Sequence, residues 1–394
     1  MNRIEHEKRL RTLIWGTVGL AMLALVASAL GGCSGGTAEV TPTPTRTPAP
    51  VVTLPPTDMP MPTLTPTPAF TPTPTSLPEN VNPLTGEVMD DVSSLDRVPV
   101  AIKISNWPDR VRPQAGINSA DLIFEHYNEG WSVGTRWTAV FLGKDPERVG
   151  SCRSGRLIDL HIPAIYKAVL ACSGFSNGVL ELVRDSDLYP DRVASPSVGV
   201  GAPVFYRDFS RDGDWYEDTL FTSPALVRDW AAKRGVSGRQ NLEGMVFSEE
   251  PTIEGKPATT IRIPWVGRGA DAEWRYDEGS GHYLRWSDGV PHTDALTGEQ
   301  LNVANVVVLY VPHWDTDIIE EPHSGALSIE FALWYSNRAV IFRDGIQIEA
   351  FWQHWEREDM LTLTDGDGNP IPLQVGNTFF EVIPTEGLEI VVEP

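Results

Sequence analysis

Hydrophobicity divides the chain into three regimes. Residues 13–30 form an unbroken apolar run, residues 41–80 have no hydrophobic period, and ordered alternation begins only near Pro83-Leu84-Thr85-Gly86. From there, β-branched and aromatic residues cluster in short runs that predict strands over 98–105, 121–127 and 136–142. A helix is expected after Arg156, a buried strand over 165–172, and a short helix over 179–184 behind the polar turn 174–178. Ser223, Pro224 and Gly235 bracket the clearest helix, over 225–234, as capping residue, first-turn proline and closing glycine. Beyond Ala258 the helix signals fade. Strands are expected over 273–276, 282–286, 305–311, 328–334, 339–342, 346–352 and 378–383, with turns at Arg343-Asp344-Gly345 and Asp365-Gly366-Asp367-Gly368-Asn369. The predicted fold class is α+β, with an α/β-type mixed domain over 81–245 followed by a mainly antiparallel β domain over 246–394.

The first two regimes give an address. Arg3, Lys8, Arg9 and Arg11 precede the 18-residue apolar run, which ends in Leu30-Gly31-Gly32-Cys33. A basic start, an apolar middle and small residues before the cut form a secretory signal over 1–33. The cysteine after Leu-Gly-Gly resembles a bacterial lipobox, in which Cys33 carries the lipid. An uncleaved membrane anchor is the alternative, and either leaves the remainder outside the cytoplasm. The segment 34–80 is then a stalk: 13 prolines and 12 threonines fill 25 of the 40 residues from 41 to 80. At about 3.1 Å per residue as polyproline II, those residues would reach roughly 120 Å. They cannot bury a core.

Charge narrows the partners. The chain has 53 acidic and 31 basic residues and a net charge of -22. That balance argues against nucleic acid. Residues 97–156 run the other way, with nine basic side chains against six acidic. Arg153, Ser154 and Arg156, joined by Arg136 and Arg112, are therefore candidate ligands for an anion, unless internal carboxylates already pair with them. Glu125, His292 and Asp294 are the acid–base candidates for a rival reading as an envelope hydrolase or transferase acting on a wall polymer or phosphorylated sugar. Gly174-Phe175-Ser176-Asn177-Gly178 fits a nucleophile elbow, but the long parallel sheet that motif needs is not expected. No metal spacing is complete: Pro370 and Gly376 stand where a calcium loop started at Asp365 needs Gly and Glu. No cofactor is implied. Seven of the 12 tryptophans after the signal fall between Trp265 and Trp355, as core or as a glycan platform.

Several short motifs then carry a resemblance. Pro83-Leu84-Thr85-Gly86, Arg112 to Ile117 with Ala120-Asp121, Thr135-Arg136 with Ala139-Val140-Phe141, and Arg153-Ser154-x-Arg156 occur in order. His292-x-Asp294, Thr297-Gly298, Asn305 to Val308 and Gly376-Asn377-Thr378 follow. Together they resemble the YerB-like bacterial lipoproteins over nearly all of residues 83–385. The resemblance implies an envelope lipoprotein with two associated domains and no established reaction. The family tends to Gly-Pro-Val-Arg-Ser where this chain has Gly150-Ser151-Cys152-Arg153-Ser154, and to His near Cys172. The two cysteines so introduced are open to two readings, a disulfide of the exported compartment or a pair of buried thiols. The sequence thus predicts a protein held to the outer face of the plasma membrane by its lipid, binding an anionic or glycan ligand or acting as a scaffold.

Overall fold

Strand-forming runs from both halves of the sequence meet in one sheet. The computed structural model describes residues 77–129, 134–210, 215–251, 253–265 and 271–394. The signal with Cys33, and the stalk up to residue 76, lie outside the described residues. The large sheet runs in the order Thr362–Thr364, Ile346–His354, Tyr335–Arg343, Asn305–Val311, Thr378–Pro384, Leu122–Tyr127, Thr135–Phe141, Val100–Ser105, Val169–Ala171, Val193–Ala194. Segments 81–245 and 246–394 share hydrogen bonds where Leu122–Tyr127 lies parallel to Thr378–Pro384, with Phe124 opposite Phe380 and Glu125 opposite Glu381. Thr378–Pro384 is also parallel to Asn305–Val311. Antiparallel pairing therefore stops at the seam, where strands buried on both faces suit parallel packing.

Alternation along the seam sends Phe124 and Phe380 to one face and Glu125 and Glu381 to the other. On the first face the two phenyl rings stack at 4.5 Å, and Tyr166 lies 5.6 Å from Phe124. The second face is covered by a smaller sheet ordered Val290–Pro291, His282–Ser287, Ala272–Asp277, Thr260–Ile263, Val391–Glu393, whose Trp274 packs 4.8 Å from Phe379.

The chain is mostly β, so the mixed α/β reading of its first half holds only in part. Helices Asn177–Asp185 and Pro224–Ala232 form where expected, capped by Ser176 and Ser223. The helix expected after Arg156 is a 3-10 turn, Leu157–Leu160, then a single turn, Ile162–Ile165. Lys167, at φ 49, reverses the chain, so the strand expected over 165–172 shortens to Val169–Ala171. The polar stretch His313–Glu321 is a strand paired with Ala326–Phe331. Its many exposed charged positions hide the period on which a sequence-based expectation relies.

Candidate functional site

Two buried polar clusters occupy opposite faces of the large sheet, and they contain most of the sequence candidates. On the face covered by the small sheet, Glu125 and Glu381 stand directly opposite each other, fully buried. Like charges in that register repel. Arg285, projecting from His282–Ser287, lies between them and donates to Glu125 Oε2 at 2.6 Å and to Glu381 Oε1 at 3.1 Å. Its guanidinium is 5.2, 5.0 and 4.8 Å from the ring centroids of Trp137, Trp274 and Phe379. The indole N–H groups of Trp274 and Trp265 also donate to Glu381, at 2.8 and 3.2 Å. Burial and the adjacent Glu125 nevertheless push the Glu381 carboxyl well up, against the pull of Arg285.

A closed ring of side chains continues from this pair. Asn106 donates to Glu125 at 3.0 Å, Gln114 donates to Asn106 at 3.3 Å, and Gln114 Oε1 meets His292 Nε2 at 2.6 Å. His292 Nδ1 lies 2.7 Å from Ser287 Oγ, which accepts from Arg285 Nε at 3.3 Å. Because Gln114 offers an oxygen to Nε2, the proton sits on Nε2 and Ser287 donates to Nδ1. Burial first, then Arg285 and Arg112, hold His292 well below its usual range. Ser287 and His292 line a surface cleft of about 320 Å³. A hydroxyl bonded to an imidazole suggests nucleophilic chemistry, yet two cations disfavour the imidazolium that proton transfer would create, and no carboxylate supports it. Asp294 is committed elsewhere: it accepts from the backbone N–H groups of Gly116 at 3.0 Å, Asn118 at 2.9 Å and Leu296 at 2.7 Å. His292 and Asp294 therefore fasten segments of the two halves together, and they do not form a pair.

On the opposite face, Lys103 Nζ is fully buried among His126 Nε2 at 2.5 Å, Thr138 Oγ1 at 3.0 Å and Asp159 Oδ2 at 2.9 Å. His126 Nδ1 faces the Tyr127 carbonyl at 2.8 Å, leaving Nε2 to accept from the ammonium. Burial lowers Lys103 to about 8 despite Asp159. The arginine island adjoins this group, and its charges are already matched. Arg156 donates to Glu129 at 2.5 Å and lies 2.8 Å from Glu320; Arg136 lies 3.7 Å from Glu129 and donates to the Ser154 carbonyl at 2.9 Å. Arg153 is 3.7 Å from Asp218 and donates to the Glu217 carbonyl at 3.2 Å. Arg112 pairs with Asp288 at 2.5 Å and donates to Asn106. Lys103, Arg136 and Arg156 balance Asp159, Glu129 and Glu320. Of the expected anion ligands, Arg136 and Arg156 are buried in an internal ion-pair network, partly exposed Arg112 and Arg153 each meet a carboxylate of the chain, and Ser154 lies beside Ser173.

Of the two readings of the cysteines, the structure has the buried thiols. Cys152 and Cys172 are buried free thiols and form no bridge. Their Sγ atoms approach the carbonyls of Val149 at 3.7 Å and Gly174 at 3.5 Å, and burial raises both, Cys172 to about 12. Ser176 of the Gly-x-Ser-x-Gly motif caps its helix and donates to Glu320 at 2.7 Å, which makes it part of the network. Among the described residues no group of three His, Cys, Asp or Glu side chains could hold a metal. Sequence reasoning missed Arg285, Glu381, Lys103, Asn106 and Gln114. The available signal was a charge inside an otherwise apolar strand: Lys103 in Val100–Ser105 and Glu381 in Thr378–Pro384.

Two family models match the chain in order. One, described as the N-terminal domain of a protein of unknown function (DUF3048), covers residues 84–237; the other, the C-terminal domain of the same, covers 261–380. The chain belongs to this YerB-like family. The "Putative lipoprotein YerB" of Bacillus subtilis (strain 168) is 25% identical over 315 residues, covering 77% of this chain and 86% of the relative. The crystal structure of YerB superposes with a TM-score of 0.65 at 23% identity, over 79% of this chain and 99% of that one, and has the same fold. Among the described residues, no helix is long and apolar enough to cross a membrane.

Proposed function

We propose that the protein is a lipid-anchored, extracytoplasmic module that binds or scaffolds without catalysis. The observation that carries this reading is the closure of both polar clusters: Glu125, His292 and Asp294 are buried and bonded, and each candidate arginine meets an internal partner. An acid–base catalyst must exchange a proton with its substrate; Glu125 and Asp294 are buried, and His292, although it borders a cleft, has both ring nitrogens already bonded. The 22 excess negative charges fit repulsion from wall and membrane phosphates, with the stalk holding the folded part at a distance. The lipobox-like Cys33 and the name given to the Bacillus subtilis relative support the anchor. Fractionation tests it: the full chain is expected in the membrane pellet with incorporated fatty acid, and Cys33→Ala is expected to lose the label. An unlabelled parent chain would refute the anchor.

A further inference from the structure

Another cleft, larger than the one beside Ser287 and His292, lies elsewhere on the described surface. Near the turn of Ile162–Ile165, a cleft of about 530 Å³ is lined by Trp334, His161, Glu330, Asp185, Asp187 and Arg357. Aromatic side chains continue out of it. Trp314, the cross-strand partner of Glu330, stands edge-on to Trp334 at 6.2 Å, and the next residue, Tyr335, stands edge-on to Trp355 at 6.1 Å. Trp314, Tyr335 and Trp355 are 45%, 62% and 58% exposed. Tyr335 takes φ 73, a left-handed conformation that costs a tyrosine energy and carries its ring out toward solvent. Large exposed rings grouped around a cleft mark a recognition surface.

The polar groups select the ligand. Arg357 holds Asp187 through two hydrogen bonds, and His161 meets Glu330 at 3.1 Å, so planar donors and acceptors are fixed beside the rings. Three carboxylates against one guanidinium repel phosphate and uronate polymers. A proline-rich peptide would also stack on the rings, but it brings few N–H donors to carboxylates that can only accept. A polyol brings donors along its whole edge and apolar C–H faces to the rings. We infer that this cleft and its aromatic rim form a binding site for a neutral oligosaccharide. The inference deepens the proposed function by naming a ligand class, and it is independent of the arginine network.

The test uses full-length protein in detergent, titrated with chitohexaose, cellohexaose and maltohexaose and followed by calorimetry and tryptophan fluorescence. Saturable binding of at least one sugar is expected, weakened tenfold or more by Trp334→Ala and by Trp355→Ala with unchanged thermal midpoints. Should Trp334→Ala fail to fold, the exposed Trp355 decides. Absence of saturable binding to all three sugars, binding unaltered in both folded variants, or binding only of a peptide spanning residues 41–80 would each overturn the inference. Sugar binding by a chain that carries no fatty acid would leave this site standing and remove the anchor alone.

Discussion

Arg285 is held by what it separates. Glu125 and Glu381 face each other across a buried seam, and the guanidinium between them, helped by the indole N–H groups on Glu381, makes that register tolerable. Removing one partner of a buried ion group costs about 3–5 kcal/mol, because the remaining charges stay unpaired. Arg285→Ala is therefore expected to lower unfolding free energy by that amount in urea titrations, whereas Glu381→Gln, which replaces a carboxyl whose charge is disfavoured there and keeps an acceptor, should be far milder. The pH dependence follows from the same groups. Glu381 is raised above its unfolded value of 4.5, so the native state holds a proton that the unfolded state has released, and stability is lost as pH climbs above about 4.5. Glu129 behaves oppositely: burial works against its charge, but Arg136 and Arg156 outweigh that and lower it to about 2, so its contribution disappears as pH falls from 4.5 toward 2. Urea titrations across pH should show Glu381→Gln flattening the alkaline-side decline and Glu129→Gln flattening the acid-side one. An unchanged profile in either variant would contradict the assignment. None of this was legible as a site, because the sequence shows that Arg285 is charged and not which strand lies over it.

Short elements were read where local chemistry fixes them. Arg343-Asp344-Gly345 is the hairpin turn expected from its residue types: Asp344 and Gly345 both take positive φ, 52 and 72, and Arg343 pairs with Ile346. A side chain at Gly345 would also meet the Tyr276 ring at 2.9 Å. Gly345→Ala is accordingly expected to cost about 1–3 kcal/mol in a denaturant titration, with the fold retained in circular dichroism. The helices starting after Ser176 and Ser223 were similarly readable from their caps. The element after Arg156 was misjudged because its apolar residues serve a chain reversal at Lys167, and the strand His313–Glu321 was missed because it is largely solvated. Periodicity reports burial, so it fails where a strand is wet or an apolar run is not periodic.

Across the whole molecule, the family and the predominance of strands were legible in the sequence, while the pairing between distant segments was hidden. The basic island over 97–156 suggested open cations because local counts cannot see Glu320 arriving from the strand His313–Glu321 or Asp288 from the small sheet. Once these long-range partners are placed, the charge that seemed available for a ligand is consumed by folding. External recognition is assigned to the aromatic cleft near Trp334, which the arginine network does not reach. The closure of the arginines is most directly tested by calorimetric titration of the full chain with inorganic phosphate and poly(glycerol phosphate) at low salt. The account predicts no saturable heat and no shift in thermal midpoint with either anion. Saturable binding that disappears in a folded Arg153→Ala variant would contradict it.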